Sequence, residues 1–120
     1  MSCIQKILNF QNELRLHHWG TQSYSAHKAL GKLYEGLDPL FDSFVETYIG
    51  VKGRQELKDI TSIQLNGSFK ININTVMDSF EDYLQKEVEK EVGSDQTALL
   101  NIRDEMLALV QQTKYLLTLS

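Results

Sequence analysis

The sequence predicts an all-α fold: a bundle of four helices running up, down, down, up, with one long crossover between the second and third. Three observations carry that expectation. Four segments place apolar residues at helical spacing. One proline and seven glycines in 120 residues leave room for long helices. The connections run short, long, short. Short links make neighbours antiparallel, and the long one can return the chain to the other end of a bundle. The length suits one core, so residues 1–120 are expected to form a single domain.

The first helix is expected from about Ser2 to Trp19. Ile4, Ile7, Leu8, Leu14 and His18 fall on one side of it, with Phe10 at the edge and His17 about 100° away from that line. Gly20-Thr21-Gln22-Ser23 should end it, because glycine suits the left-handed C-terminal position and Thr21 or Ser23 can cap a new helix. The second helix is expected from about Ser23 to Ile49, with Ala26, Leu30, Leu33, Leu37, Leu40, Phe41, Phe44, Val45 and Tyr48 inward. Asp38-Pro39 could cap a new helix or kink a continuous one, and a kink is expected. Residues 51–74, VKGRQELKDITSIQLNGSFKININ, form the crossover. Asn66-Gly67 between the alternating stretches SIQL and FKININ signals a hairpin. The alternative is a loop with a short helix near Glu56–Asp59. The third helix is expected from about Thr75 to Val92, with Met77, Phe80, Leu84 and Val88 inward and Gly93 as its stop. The fourth should start at Ser94-Asp95, both good caps, and run to about Leu119. Its stripe is Leu99, Ile102, Met106, Leu109, Val110, Thr113, Leu116 and Leu117.

Composition narrows the function classes. Apolar residues make up 42% of the chain, enough for a core. No run of 18 apolar residues occurs, so no membrane span is expected. The opening MSCIQKILNFQNELRL lacks the apolar block of a signal peptide, which makes a reducing cytoplasm the default. The single cysteine, Cys3, leaves no internal disulfide and needs no role. A net charge of −4 with no Lys/Arg tail or stripe argues against a nucleic-acid partner. No phosphate loop or nucleophile elbow is present.

The chemistry gathers in HHWGTQSYSAH, residues 17–27, which holds all three histidines and the only tryptophan. On one unbroken helix His18 and His27 would stand about 900° apart, on opposite faces. A break at residues 20–23 lets the two imidazoles converge. A lone histidine on an apolar face is ordinarily a hydrogen-bonded core residue. Asp42 and Glu46, four apart on one helical face, supply the further partners that change this weighing. Two imidazoles and two carboxylates suit non-haem iron, with manganese and zinc as other occupants. Taken alone, DSFVE is usually just a solvated acidic face, with Glu35 and Asp38 nearby. Asp42 and Glu46 lie roughly 100–170° from the centre of their helix's apolar stripe, so they point away from their own bundle. A second chain would then bring the other half of any shared site. Glu87 and Glu91 read as a charged helix end, and Glu105 borders the inward stripe of its helix. Tyr24 and Tyr34 read as packing residues, and Trp19 as core or interface.

Residues 14–50, LRLHHWGTQSYSAHKALGKLYEGLDPLFDSFVETYIG, resemble the core of the Dps proteins, which are small ferritin-like proteins. They also look like the small ferritin-like proteins of large tailed phages, which share an HW-x-T-x-x-Y-x-x-H core. The matching positions are His18-Trp19, His27, Asp42 and Glu46. The resemblance implies a ferritin-like four-helix bundle and a homo-oligomer, at least a two-fold dimer and up to a shell. It implies a ferroxidase-type centre at a two-fold interface, His18 and His27 coming from one subunit and Asp42 and Glu46 from the other. Ferrous iron would be bound there, oxidised by peroxide or oxygen, and stored as a ferric core. The setting would be the cytoplasm, or the host cytoplasm for a phage-encoded protein. No Glu-x-x-His pair occurs, so the internal di-iron site of larger ferritins is not carried over. DNA binding is not carried over either, since there is no basic tail. The other expectation is a non-catalytic structural or interaction module that keeps the fold without the activity.

Overall fold

Ser2 opens the first helix. Its hydroxyl accepts a hydrogen bond from the Gln5 amide, and α1 then spans Cys3–Gly20. A computed structural model describes residues 2–65 and 71–119, and every element among them is helical or irregular. The expected break follows α1. Thr21 is extended, residues 21–23 are non-helical, and Ser23 caps α2, Tyr24–Lys52, by accepting from the Ala26 amide at 3.2 Å. Gly20 does not take the left-handed conformation expected of it; the described glycines with positive φ are Gly53 and Gly93. Thr21 leaves the helical region instead, while its N–H still reaches the His17 carbonyl at 3.0 Å. Pro39 lies inside α2, which runs on as one helix.

The crossover differs from the hairpin expectation. A 3-10 helix covers Gln55–Asp59, residues 60–65 are irregular, and Ile73 and Asn74 already belong to α3, Ile73–Lys86. The Asn66-Gly67 turn lies outside the described residues. Side chains of α1 take the backbone groups that a strand partner would use. Gln5 Nε2 donates to the Ser62 carbonyl at 3.1 Å, and Asn9 Oδ1 accepts from the Gln64 amide at 3.0 Å. With those groups satisfied locally, pairing has little left to gain.

The third helix is not one piece. Glu87, at φ −106°, separates α3 from α4, Val88–Val92. Gly93 ends α4 at φ 104°, as a glycine stop should. Then α5, Thr97–Leu116, begins later than Ser94-Asp95, with no side-chain cap at Gln96. Asp95 is turned back over Gly93: a Cβ at Gly93 would lie 2.9 Å from Asp95 Oδ1. That carboxylate is therefore not available to cap the helix ahead of it.

Contacts between elements run in opposite residue order, so neighbours are antiparallel. Arg15 meets Tyr34 and Gln11 meets Asp38 across α1 and α2. Phe10 stacks on Phe80 at 3.8 Å across α1 and α3. Lys114 pairs with Asp78 at 2.8 Å and Glu81 at 2.7 Å, and Arg103 donates to the Leu84 carbonyl, joining α3 to α5. Ser25 reaches the Leu119 carbonyl beyond the end of α5, while Gly36 faces Leu109. The shared core is Leu14, Leu33, Leu37, Phe41, Met77, Leu84, Leu99, Met106 and Val110. Ala26, Leu40, Val45, Ile102, Leu109, Leu116 and Leu117, expected inward, are only partly buried. No described helix is long and apolar enough to cross a membrane.

At the end of the molecule where α1 starts and α4 finishes, polar groups are buried together. Cys3 Sγ donates to Glu91 Oε2 at 2.9 Å, and the Tyr83 hydroxyl donates to the other oxygen of Glu91 at 3.3 Å. The Tyr48 hydroxyl donates to Glu56 Oε1 at 2.5 Å, tying the 3-10 helix to α2. Burial, with the adjoining carboxylate, pushes the Cys3 thiol up to about 12, and burial raises both phenols as well.

Two expectations follow for stability. Leu37 is fully buried, so Leu37→Ala should cost about 2–5 kcal/mol in a urea unfolding curve. The raised acids set an alkaline limit. An unfolded thiol ionises near 9.0, whereas the folded one keeps its proton to about 12. Above pH 9 the folded state therefore holds more protons than the unfolded state, and stability falls as pH rises through that window. Unfolding curves between pH 8 and 11, on the order of the thiol range, should show this decline. Cys3→Ala should flatten it in part, with the two phenols carrying the remainder.

Candidate functional site

His18 lies in the last turn of α1 and His27 in the first turn of α2, so the three-residue break brings them face to face. Their rings stack with centroids 3.9 Å apart and 14° between planes. Each ring is tied to the other residue's backbone. His18 Nδ1 lies 2.8 Å from the His27 carbonyl, and His27 Nδ1 lies 2.8 Å from the His18 carbonyl. A carbonyl oxygen has no proton to give, so both Nδ1 atoms must donate. In the neutral rings each Nε2 then carries the lone pair. Among the described residues neither Nε2 has a hydrogen-bond partner. The bond to the His18 carbonyl also serves the fold, because carbonyls in the last turn of a helix run out of helical donors.

The pair opens onto a recess of about 600 Å³. Its wall carries Arg15, Lys28 and Lys32, with Glu35 as the one carboxylate among the described residues that line it. Arg15 stands over the Tyr34 ring and donates to its hydroxyl, which steadies that side. Lys28 lies 5.6 Å from the centre of the Tyr24 ring. Trp19 is 70% exposed and Tyr24 73%, so neither is a core residue.

The sequence placed His18 at the centre of an apolar stripe and His17 beside it; the structure reverses this. His17 is buried at 5% exposure, next to Glu13 one turn earlier, and burial lowers its pKa. His18 is only partly buried, on the seam with α2. The buried line of α1 runs through Cys3, Ile7, Phe10, Leu14 and His17, with Leu8 at its margin. Ideal angles gave Leu8 and His18 equal standing with Ile4, and packing against two neighbouring helices did not.

Asp42 and Glu46 are exposed on the outer side of α2. Fifteen residues of helix place Asp42 about 22 Å beyond His27 along the axis. Among the described residues of one chain, no group of three or more His, Cys, Asp or Glu could hold a metal. The histidines therefore meet as a pair, and the two carboxylates of the same chain do not join them. Glu105 is exposed and takes no part. Glu91 has the separate role already given, receiving Cys3 and Tyr83. Arg15, Lys28, Gly31 and Lys32 are members of the site that the sequence did not single out. Gly31 stands one turn after His27 on the same side of α2, and that spacing was the available signal.

A family of unknown function (DUF5856) matches residues 18–117. The chain belongs to this family. It is also similar to an "Uncharacterized 14.6 kDa protein in mobD-ri intergenic region" of Enterobacteria phage T4. The two are 29% identical over 103 residues, which cover 85% of this chain and 74% of that protein. No solved structure matches. These findings overturn the resemblance to the Dps proteins and their ferritin-like relatives. The family that matches is DUF5856, of unknown function, and it spans the residues that suggested the resemblance, from His18 to Glu46 and beyond. Five matching side chains are a short pattern, and antiparallel helices recur in unrelated proteins. What remains of that comparison is a phage protein among the relatives of this DUF5856 chain.

The tautomer assignment can be checked directly. Nitrogen-15 spectra of the neutral histidines should show His18 and His27 protonated at Nδ1 and bare at Nε2. That is the minority form for a free side chain in water. Signals of the ordinary Nε2–H form at both residues would contradict the reciprocal bonds.

Proposed function

We propose that this protein binds a divalent transition metal, ferrous iron first, through Nε2 of His18 and His27, and that a second copy completes the site with its Asp42 and Glu46. With this goes a proposed architecture: an up-down-down-up four-helix bundle whose long crossover links the end of α2 at Lys52 to the start of α3 at Ile73. The observation that carries the reading is the pair of reciprocal Nδ1–carbonyl bonds. Metal-binding histidines characteristically donate their other ring nitrogen to a carbonyl or carboxylate, which fixes the tautomer and aims the lone pair. Here both rings are so fixed before any metal arrives.

Electrostatics supports the second copy. Three cationic side chains and one carboxylate surround the recess, so a divalent cation is poorly balanced in one chain alone. Along the outer face of α2 the charges change sign, from Lys28 and Lys32 to Glu35, Asp42 and Glu46. A face that is basic in one half and acidic in the other is self-complementary under a two-fold axis. Two α2 helices lying antiparallel would set the carboxylates of each copy against the histidines and lysines of its partner. Asp42 and Glu46 then offset the ion's charge and leave coordination positions open. Iron would be the substrate: each Fe(II) gives one electron, and hydrogen peroxide takes two electrons and two protons to become two waters. Manganese and zinc suit the same donors.

The test is an anaerobic Fe(II) titration of wild type, His27→Ala and Asp42→Asn, followed by peroxide. Each variant should lose at least about tenfold in affinity, the usual scale for a lost ligand or its support, and should oxidise iron more slowly. Mixing the two variants should restore about a quarter of the sites if ligands come from both copies, because about half of the exchanged dimers are mixed and each mixed dimer keeps one of its two ligand sets intact. Binding should weaken as pH falls, because each Nε2 takes either a proton or the metal. Light scattering should give a multiple of 13.8 kDa with metal present. Equal binding by all three proteins would leave a non-catalytic helical module as the function, since the exposed Asp42 has no structural task.

A further inference from the structure

We infer that Gly31 is a positioning residue: the side chain it lacks is the space that His18 occupies, and the stacked histidine pair cannot form without it. A Cβ built on Gly31 would lie 2.8 Å from His18 Cε1, 3.4 Å from its Nδ1 and 3.6 Å from its Nε2. A real Cβ does not approach another heavy atom as closely as 2.8 Å, so the ring would have to move. It has nowhere to go without loss. Its partner ring is stacked against it at 3.9 Å, and its Nδ1 is bonded to the His27 carbonyl at 2.8 Å. Cε1 lies between the two ring nitrogens, so a push on it displaces both the donor and the lone pair.

Glycine is a poor choice for a helix interior on local grounds, because alanine loses less backbone entropy there. Gly31 stands well inside α2, eight residues in, where its conformation is ordinary and no positive φ calls for glycine. The requirement therefore comes from the side-chain space. Gly50 gives an internal comparison on the same helix: a Cβ there would meet nothing within 4 Å.

The seating of the ring does not depend on metal, whereas its effect on metal affinity rests on the function proposed above. The experiment compares Gly31→Ala with Gly50→Ala in the full chain, reading the histidine nitrogen-15 signals and Fe(II) affinity. Gly31→Ala should shift both histidines away from the bare-Nε2 form and weaken Fe(II) binding at least tenfold, while Gly50→Ala leaves both readings at their wild-type values. Melting temperatures in a His18→Ala background guard against simple misfolding. With the ring gone, Gly31→Ala should raise the melting temperature, as alanine does in an open helix position, although it fails to do so when His18 is present. Unchanged histidine signals in Gly31→Ala, or the same thermal effect in both backgrounds, would overturn the inference. If wild type binds no Fe(II) but Gly31→Ala still disturbs the histidines, the seat stands and the metal function falls.

Discussion

The clasp between His18 and His27 is the constraint from which the rest follows. A helix of 18 residues and one of 29 must reverse against each other after three residues, Thr21 to Ser23. Capping by the Thr21 N–H and the Ser23 hydroxyl ends one helix and starts the next, but leaves their relative rotation open. The two imidazole–carbonyl bonds set that rotation, because each ring spans the gap in the opposite sense. Once it is set, Arg15 meets Tyr34, Gln11 meets Asp38, and the buried line of α1 faces inward. The feature that could hold a metal is thus also the feature that aligns the first two helices.

Much of the helical frame was legible because its signals are local. Ser23 is a cap by its own chemistry, Gly93 stops a helix through its backbone, and the apolar spacing of α2 survives the passage through Pro39. What was not legible depends on neighbours. Whether Asp95 caps forward or folds back over Gly93 is decided by a turn three residues long. Whether SIQL becomes a strand is decided by Gln5 and Asn9, more than fifty residues earlier in the chain. His17 and His18 could not be sorted by angle alone, since which is buried depends on how α1 sits between two partners.

The candidate site was legible in kind and not in setting. The break that lets His18 and His27 meet could be read from Gly20 to Ser23. The tautomer lock could not, because nothing in a sequence says that two rings will each find the other's carbonyl. Nor could the cationic rim, since Arg15 comes from α1 while Lys28 and Lys32 come from α2. The family resemblance drawn from His18, Trp19, His27, Asp42 and Glu46 failed for a related reason. Side-chain types at given spacings report chemistry that could happen, whereas descent is recorded across the whole of residues 18–117.

The thiol lies at the end of the molecule where α1 starts, far from the histidine pair. Peroxide attacks the thiolate, and Cys3, 1% exposed and donating to Glu91, keeps its proton far into the alkaline range. Burial and the retained proton both disfavour oxidation of this sulfhydryl to sulfenic acid at neutral pH. The sulfur is kept out of electron traffic by the same burial that makes it part of the core.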